Sequence, residues 1–301
     1  MGANLPSYRT APRDGYIPVG GAALYYRETG RGHPVVVLHG GPEFDHTYLL
    51  PDLDLLADSY RLIYYDQRGR GRSAEGVRPE DVTVRSEVED IEHLREHFGL
   101  ESVAVLGHSW GGLLALEYAT HHPERVSHLI LLNTAPVSHG DYLFLRQELP
   151  EKRTPDDLER LKAFRSTAGY EEGDPDTFAA YCRIHFKPTI RQPEHLESVV
   201  ERLRASFTKE GVLRARAIEG RLAEQTWLVE DYDLLPALRR LNIPTLVLHG
   251  DYDFIPVECA EHVARAIPGA RFALLEDCGH FSFIERPEQV RAEIAALFRG
   301  S

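Results

Sequence analysis

The chain has 301 residues with 47 acidic against 34 Lys and Arg side chains, a formal net charge of −13. That balance excludes a nucleic-acid footprint, which needs an excess of Lys and Arg to displace counterions from phosphate. Apolar residues at 43% and charged residues at 27% suffice for a packed core and exclude disorder and collagen-like repeats. No apolar run approaches the ~18 residues of a membrane span.

The N-terminal segment MGANLPSYRTAPRDG lacks the apolar stretch and small-residue cleavage site of a secretory signal. Only Cys182, Cys259 and Cys278 occur, an odd set without CxxC spacing, which argues against a disulfide framework and a zinc cluster. A cytoplasmic protein is expected. Ala22 to Glu28 reads as an antiparallel strand ahead of a parallel series. That series begins with His33 to His39 (HPVVVLH), a short continuous apolar run of the kind covered on both faces. It ends in His39-Gly40-Gly41-Pro42, where consecutive glycines let backbone amides approach a ligand; taken alone, the segment is an ordinary strand-ending turn. Arg61 to Tyr65 is the next strand, followed by Asp66-Gln67-Arg68-Gly69-Arg70-Gly71-Arg72-Ser73. This segment reads as a tight scaffold loop whose guanidinium groups pair with nearby carboxylates; the sharper alternative, an anion-binding loop, lacks the helix entry and Lys of a phosphate cradle.

After a helical segment, Glu87 to Phe98, the strand Ser102 to Leu106 leads into Gly107-His108-Ser109-Trp110-Gly111-Gly112 and the helix Leu113 to His121. This is G-x-S-x-G in the strand-turn-helix setting of a nucleophile elbow, where the flanking glycines avoid collisions with neighbouring backbone. The helix N-terminus adds unpaired N–H groups beside a developing oxyanion. We assign its two donors to the N–H of Gly41 and of Trp110.

His128 to Leu132 is a further strand, after which the strand–helix alternation stops near Ala135 and resumes near Pro236. The intervening DDLERLKAF, FAAYCRIHF and LESVVERLRASF have helical periodicity, separated by Thr154-Pro155 and Gly173-Asp174-Pro175. All four lysines fall there. We read residues 135–235 as a helical cap, and 1–134 with 236–301 as one core.

Thr245 to His249 is the next strand, and the loop beyond it carries Asp251 and Asp253. Both are placed to orient a histidine; Asp253 is favoured because it lies farther from the strand, with Asp251 a rival of turn-capping type. Pro256 to Ala266 reads as a helix, Arg271 to Leu275 as the last strand and Pro287 to Phe298 as the closing helix. Among fifteen histidines, His280 follows that last strand in a glycine-bearing loop, whereas His93, His97, His121 and His122 fall on helices or helix ends. A serine hydroxyl needs such a base and a carboxylate behind it, so Ser109, Asp253 and His280 form the expected triad. The alternation of strand and helix predicts an α/β protein with a mostly parallel central sheet flanked by helices.

On HGGP, DQRGRGRS and GHSWGG, the chain resembles the α/β-hydrolase superfamily over its whole length and, within it, the proline iminopeptidase group of serine aminopeptidases. The resemblance implies the same Ser109, Asp253 and His280, the α/β-hydrolase fold with a helical cap, no cofactor or metal, and an anionic patch that receives a substrate's free amino terminus. Where that group usually continues HGGP with glycine, this chain has Glu43, whose carboxylate either contacts a substrate ammonium or narrows the site against peptides. Glu219 and Glu224 are further candidates for amine binding, with solvated helix carboxylates as the plainer reading, and Phe254 offers an apolar wall. The implied activity is release of N-terminal Pro or a similar residue from a short peptide. Carboxylesterase or lactonase activity on small acyl substrates is the alternative, and a ligand-binding member without catalysis a third. The expected partner is a small molecule or short peptide, with neither nucleic acid nor membrane; the residues carry no reading of oligomeric state.

Overall fold

The computed structural model describes residues 11–300, so most of the N-terminal segment read above lies outside the described residues. Eight strands form one sheet: β1 (Arg13–Val19), β2 (Ala22–Gly30), β3 (His33–Leu38), β4 (Tyr60–Tyr65), β5 (Val103–His108), β6 (Val126–Leu132), β7 (Thr245–Gly250) and β8 (Arg271–Leu275). Their spatial order is β1-β2-β4-β3-β5-β6-β7-β8. β2 pairs antiparallel with both β1 and β4, and every later pairing is parallel. β1 was absent from the strands expected above. Gly15 and Pro18 interrupt its pattern and suit only an edge, where one row of backbone donors goes unused.

The continuous apolar runs are buried on both faces because alternate residues feed two cores. Val35, Val37, Ala104, Leu106, Ile130, Leu132, Leu246 and Leu248 enter one; Val36, Leu38, Val103, Val105, Leu129, Leu131 and Val247 enter the other. Helices α1 (Val84–His97) and α2 (Trp110–His121) precede and follow β5. Thr83 and Ser86 form a reciprocal capping box that starts α1.

Between β6 and β7 lie α3 (His139–Glu148), α4 (Pro155–Arg165), α5 (Ala168–Glu171), α6 (Pro175–Phe186), α7 (Glu194–Ser206) and α8 (Lys209–Ala223). The three helical segments expected from periodicity fall on α4, α6 and α7; α3 was not expected, and α8 was read only as the helix that carries Glu219, without bounds. Thr154 and Asp174 cap α4 and α6 ahead of a proline in the first turn. The two ends of the insertion meet: Ser138 bridges Asp233, His139 N–H donates to the Tyr232 carbonyl at 2.8 Å, and Leu234 N–H donates to Val137 at 3.0 Å. The chain then runs through α9 (Leu235–Leu238), β7, α10 (Val257–Ala266), β8, α11 (Ser282–Glu285) and α12 (Pro287–Arg299).

From β3 the chain moves outward to β4, then returns to pair β5 on the other flank of β3. This reversal opens a crevice at the carboxyl ends of β3 and β5, the place where open α/β sheets bind ligands. HGGP and GHSWGG are the loops at that crevice, with Leu38 paired to Gly107.

Candidate active site

Ser109 sits between β5 and α2 at φ 56° and ψ −117°, a conformation rare for a residue with a side chain. The turn is possible because its neighbours are glycines. A Cβ on Gly107 would lie 2.2 Å from the Gly111 carbonyl oxygen, and one on Gly111 would lie 2.2 Å from that of Leu38. Ser109 N–H is held by the Leu132 carbonyl at 3.0 Å, while its own carbonyl accepts from Gly112 and Ala135. The strained turn is thereby tied to β6 as well as to its own helix.

Asp253 and His280 meet at the carboxyl ends of β7 and β8. His280 Nδ1 lies 2.9 and 3.0 Å from the two Asp253 carboxylate oxygens, so Nδ1 carries the proton and donates it. Nε2 of His280 is left as the basic nitrogen. Asp253 is buried, and also accepts from Asn133 Nδ2 at 2.8 Å and from Ile255 N–H at 3.1 Å. Burial pushes this carboxyl up, but His280, His249 and the hydrogen bonds outweigh it and hold the value at about 2. Asp251 is exposed and accepts from Cys278 N–H at 3.0 Å, capping the turn before His280.

Ser109 and His280 line one cavity of about 400 Å³, within the range of small-ligand sites. Among the described residues Ser109 Oγ makes no hydrogen bond, and nucleophile–base contacts of this kind tighten as substrate binds. Gly41 N–H and Trp110 N–H likewise donate to no group among the described residues. Gly40 N–H is different: it donates to Tyr48 Oη at 2.7 Å.

That Tyr48 contact begins a directed chain the sequence reading missed. His108 Nε2 lies 2.9 Å from the His280 carbonyl, an obligate acceptor, so Nε2 carries the proton and Nδ1 accepts from Tyr48 Oη at 2.7 Å. Burial, with His280 nearby, lowers the His108 imidazole to about 3 and keeps it neutral. The HGGP loop, the elbow and the His280 loop are thus joined by one run of hydrogen bonds. His108 occupies the first variable position of G-x-S-x-G, and Asn133 directly follows β6; a polar residue just beyond a parallel strand was the available signal.

The DQRGRGRS loop braces the same region. Arg68 pairs with Asp90, its Nε donating at 2.9 Å, and Arg70 pairs with Glu87 in full burial. Arg70 Nε also donates to the Pro42 carbonyl at 2.7 Å, and Gln67 Nε2 to the His39 carbonyl at 2.7 Å. Trp110 Nε1 reaches Glu87 at 3.3 Å. Arg72 departs from the expected carboxylate pairing and lies over the Tyr25 ring, 4.4 Å from its centroid.

The insertion supplies the facing wall, including Glu219 of α8. Glu43 and Glu219 both line the cavity. Burial and then the charge of Glu219 raise the Glu43 carboxyl well above its ordinary range; burial raises Glu219 against the pull of Arg216 and Arg165. Phe254 lines the cavity too, its ring centroid 4.6 Å from that of His280. Glu224 must be corrected: it is exposed at the C-terminal cap of α8 and does not line the cavity. Five residues place it well away from the face of Glu219 on an α-helix, so one of the two turns to solvent when the other faces the site.

Residues 33–287 match a family model described as the alpha/beta hydrolase fold. The proline iminopeptidase of Lactobacillus crispatus is 31% identical over 290 residues, covering 92% of this chain and 94% of that one. A proline iminopeptidase-related protein of known structure from Thermus thermophilus superposes with TM-score 0.74 at 28% identity, over 96% of this chain and 98% of that one. A thermophilic esterase from Thermogutta terrifontis superposes with TM-score 0.70 at 27% identity, over 96% and 98%. Sheet order, elbow and full-length similarity agree: the chain belongs to the α/β-hydrolase fold family, in its proline iminopeptidase-like group.

Proposed function

We propose that the protein is a serine aminopeptidase that releases an N-terminal proline or similar residue from short peptides through an acyl-enzyme. The observation that carries this reading is the pair Glu43 and Glu219 in the cavity of Ser109 and His280, because two desolvated carboxylates sharing a site are relieved by a cationic ligand. A free N-terminal ammonium supplies that charge. Similarity to proline iminopeptidases supports the same substrate class.

In this mechanism His280 Nε2 takes the Ser109 proton as Oγ attacks the carbonyl carbon. Asp253 holds Nδ1–H and stabilises the imidazolium. Gly41 and Trp110 N–H groups receive the oxyanion. When the intermediate collapses, the C–N bond breaks and the imidazolium gives its proton to the departing amine. Water, deprotonated by the same ring, then attacks the ester at Ser109 and frees the enzyme. No step calls on a cofactor.

Turnover of a prolyl arylamide, compared with short-chain esters and acyl-lactones by kcat/KM on one preparation, tests the assignment. The arylamide is expected to be cleaved, and Ser109→Ala to abolish both turnover and labelling by a fluorophosphonate while leaving the thermal unfolding transition in place. Exclusive turnover of esters or lactones would replace the peptidase reading with the esterase one that the T. terrifontis neighbour represents. An unlabelled Ser109 would leave a binding protein.

A further inference from the structure

The cavity carries positive as well as negative groups. Arg153, which precedes the first turn of α4, and Arg165 at its end both line it, as does His185 of α6. Among the described residues no carboxylate lies within ion-pair distance of either guanidinium. The carboxylate nearest in sequence to Arg153 that is buried, Asp157, is held by Lys187 at 2.9 Å and by Thr154 at 2.7 Å. Arg153 Nε is buried without a hydrogen-bond partner. A half-buried arginine left in this state has a charge and a donor to spare.

His185 adds a second donor. Arg153 Nη2 lies 3.2 Å from His185 Nδ1, and since arginine only donates, Nδ1 must accept. The proton of the neutral ring is therefore on Nε2, which donates to no group among the described residues. Burial and the neighbouring Arg153 lower this imidazole to about 3, so it stays neutral and keeps that tautomer.

The two sets reach the reacting atoms through different neighbours. Glu43 stands two residues beyond Gly41, on the oxyanion-loop side. The His185 ring instead faces Phe254 at 6.1 Å, and Phe254 faces His280 at 4.6 Å. His280 protonates the leaving amine, so the leaving group departs on that side. In a dipeptide the carboxyl carbon is only two bonds from the departing nitrogen.

We propose that Arg153 and the Nε2–H of His185 form a subsite for the free α-carboxylate of the leaving residue, which makes dipeptides the preferred substrates. The subsite rests on the peptidase reading above and narrows it from short peptides to zwitterions. The amine is held at Glu43 and Glu219, and the carboxylate beyond His280. Arg165, which lines the same cavity and donates to Tyr181 Oη at 2.8 Å, acts on both Glu219 and His185.

The test compares kcat/KM for the dipeptide Pro-Gly with that for its C-terminal amide, in the native protein, Arg153→Met and Arg153→Lys. The native protein should favour the free acid by about 10–100-fold, the range of a charge-assisted hydrogen bond. Arg153→Met should bring the ratio to within about twofold, and Arg153→Lys, which keeps the charge but not the fork, should restore part of it. A ratio near one in the native protein overturns the subsite, whatever the variants do, and so does an undiminished ratio in Arg153→Met. Cleavage of a prolyl arylamide with no acid-over-amide preference removes the carboxylate subsite alone; loss of all peptide and arylamide turnover beside ester cleavage removes the peptidase reading and the subsite together.

Discussion

Asp251 and Asp253 are separated by a single residue, yet the turn after β7 sends them in opposite directions. Asp253 goes inward to His280, Asn133 and the Ile255 amide, and Asp251 stays at the surface on Cys278 N–H. A carboxylate that fixes the tautomer of a base has a kinetic effect far larger than its energy as a hydrogen bond. Asp253→Asn presents an amide where an acceptor is needed, and kcat should fall about 10³–10⁴-fold, as in other triads. Asp251→Asn keeps a capping oxygen and should stay within about threefold of the native kcat/KM. Steady-state kinetics on both variants distinguishes the two roles; a reversed order would make Asp251 the partner of the base.

At the level of the element, the β5–α2 turn shows how sequence becomes geometry. Glycines at 107 and 111 are required by contact, since the added Cβ would meet backbone that cannot rotate away. Gly111→Ala should therefore cost more than ~4 kcal/mol, enough to remove the cooperative thermal transition or the soluble protein itself. Gly220 is the control. It lies within α8, and a methyl group added there would have nothing within 4 Å, so Gly220→Ala should raise stability by about 0.5–1 kcal/mol through helix propensity. Chemical denaturation of the two variants separates a contact-bound glycine from a merely helical one. β1 and α8 make the complementary point: an edge strand broken by Gly and Pro, and a helix whose apolar stripe is diluted by arginines, carry weak periodic signals and are settled by what they pack against.

Across the whole molecule, pairing of remote carboxyls creates a pH signature. Glu43 and Glu219 are raised above their ordinary 4.5, so the folded chain holds protons that the unfolded chain has released. Stability contributed by these groups therefore falls as pH rises above about 4.5. Glu219→Gln removes one of the two carboxyls and lowers the other by removing a like charge. Its melting temperature relative to the native protein should rise steadily from pH ~5 to ~7, measured by thermal scans across that range. A constant difference would show that the pair does not titrate in this window. Asp253 acts with the opposite sign and elsewhere, since a carboxyl lowered from 3.8 to about 2 loses its stabilising effect only as pH falls through that lower range.

The parallel sheet, the elbow at Ser109 and the loop that carries His280 were legible in the chain itself, because strand burial, helix periodicity and the steric demands of a tight turn act over a few neighbouring residues. Which aspartate faces His280, the joining of Tyr48 and His108 to the His280 backbone, the placement of Asn133 and the approach of Glu43 to Glu219 across 176 positions were decided only by tertiary structure. Glu224 shows the same limit in reverse: as a carboxylate near Glu219 in sequence it was an equal candidate, and helix rotation alone turned it to solvent. Local stereochemistry is written in order along the polypeptide, whereas proximity between distant side chains depends on how the sheet and the inserted helices close around the cavity.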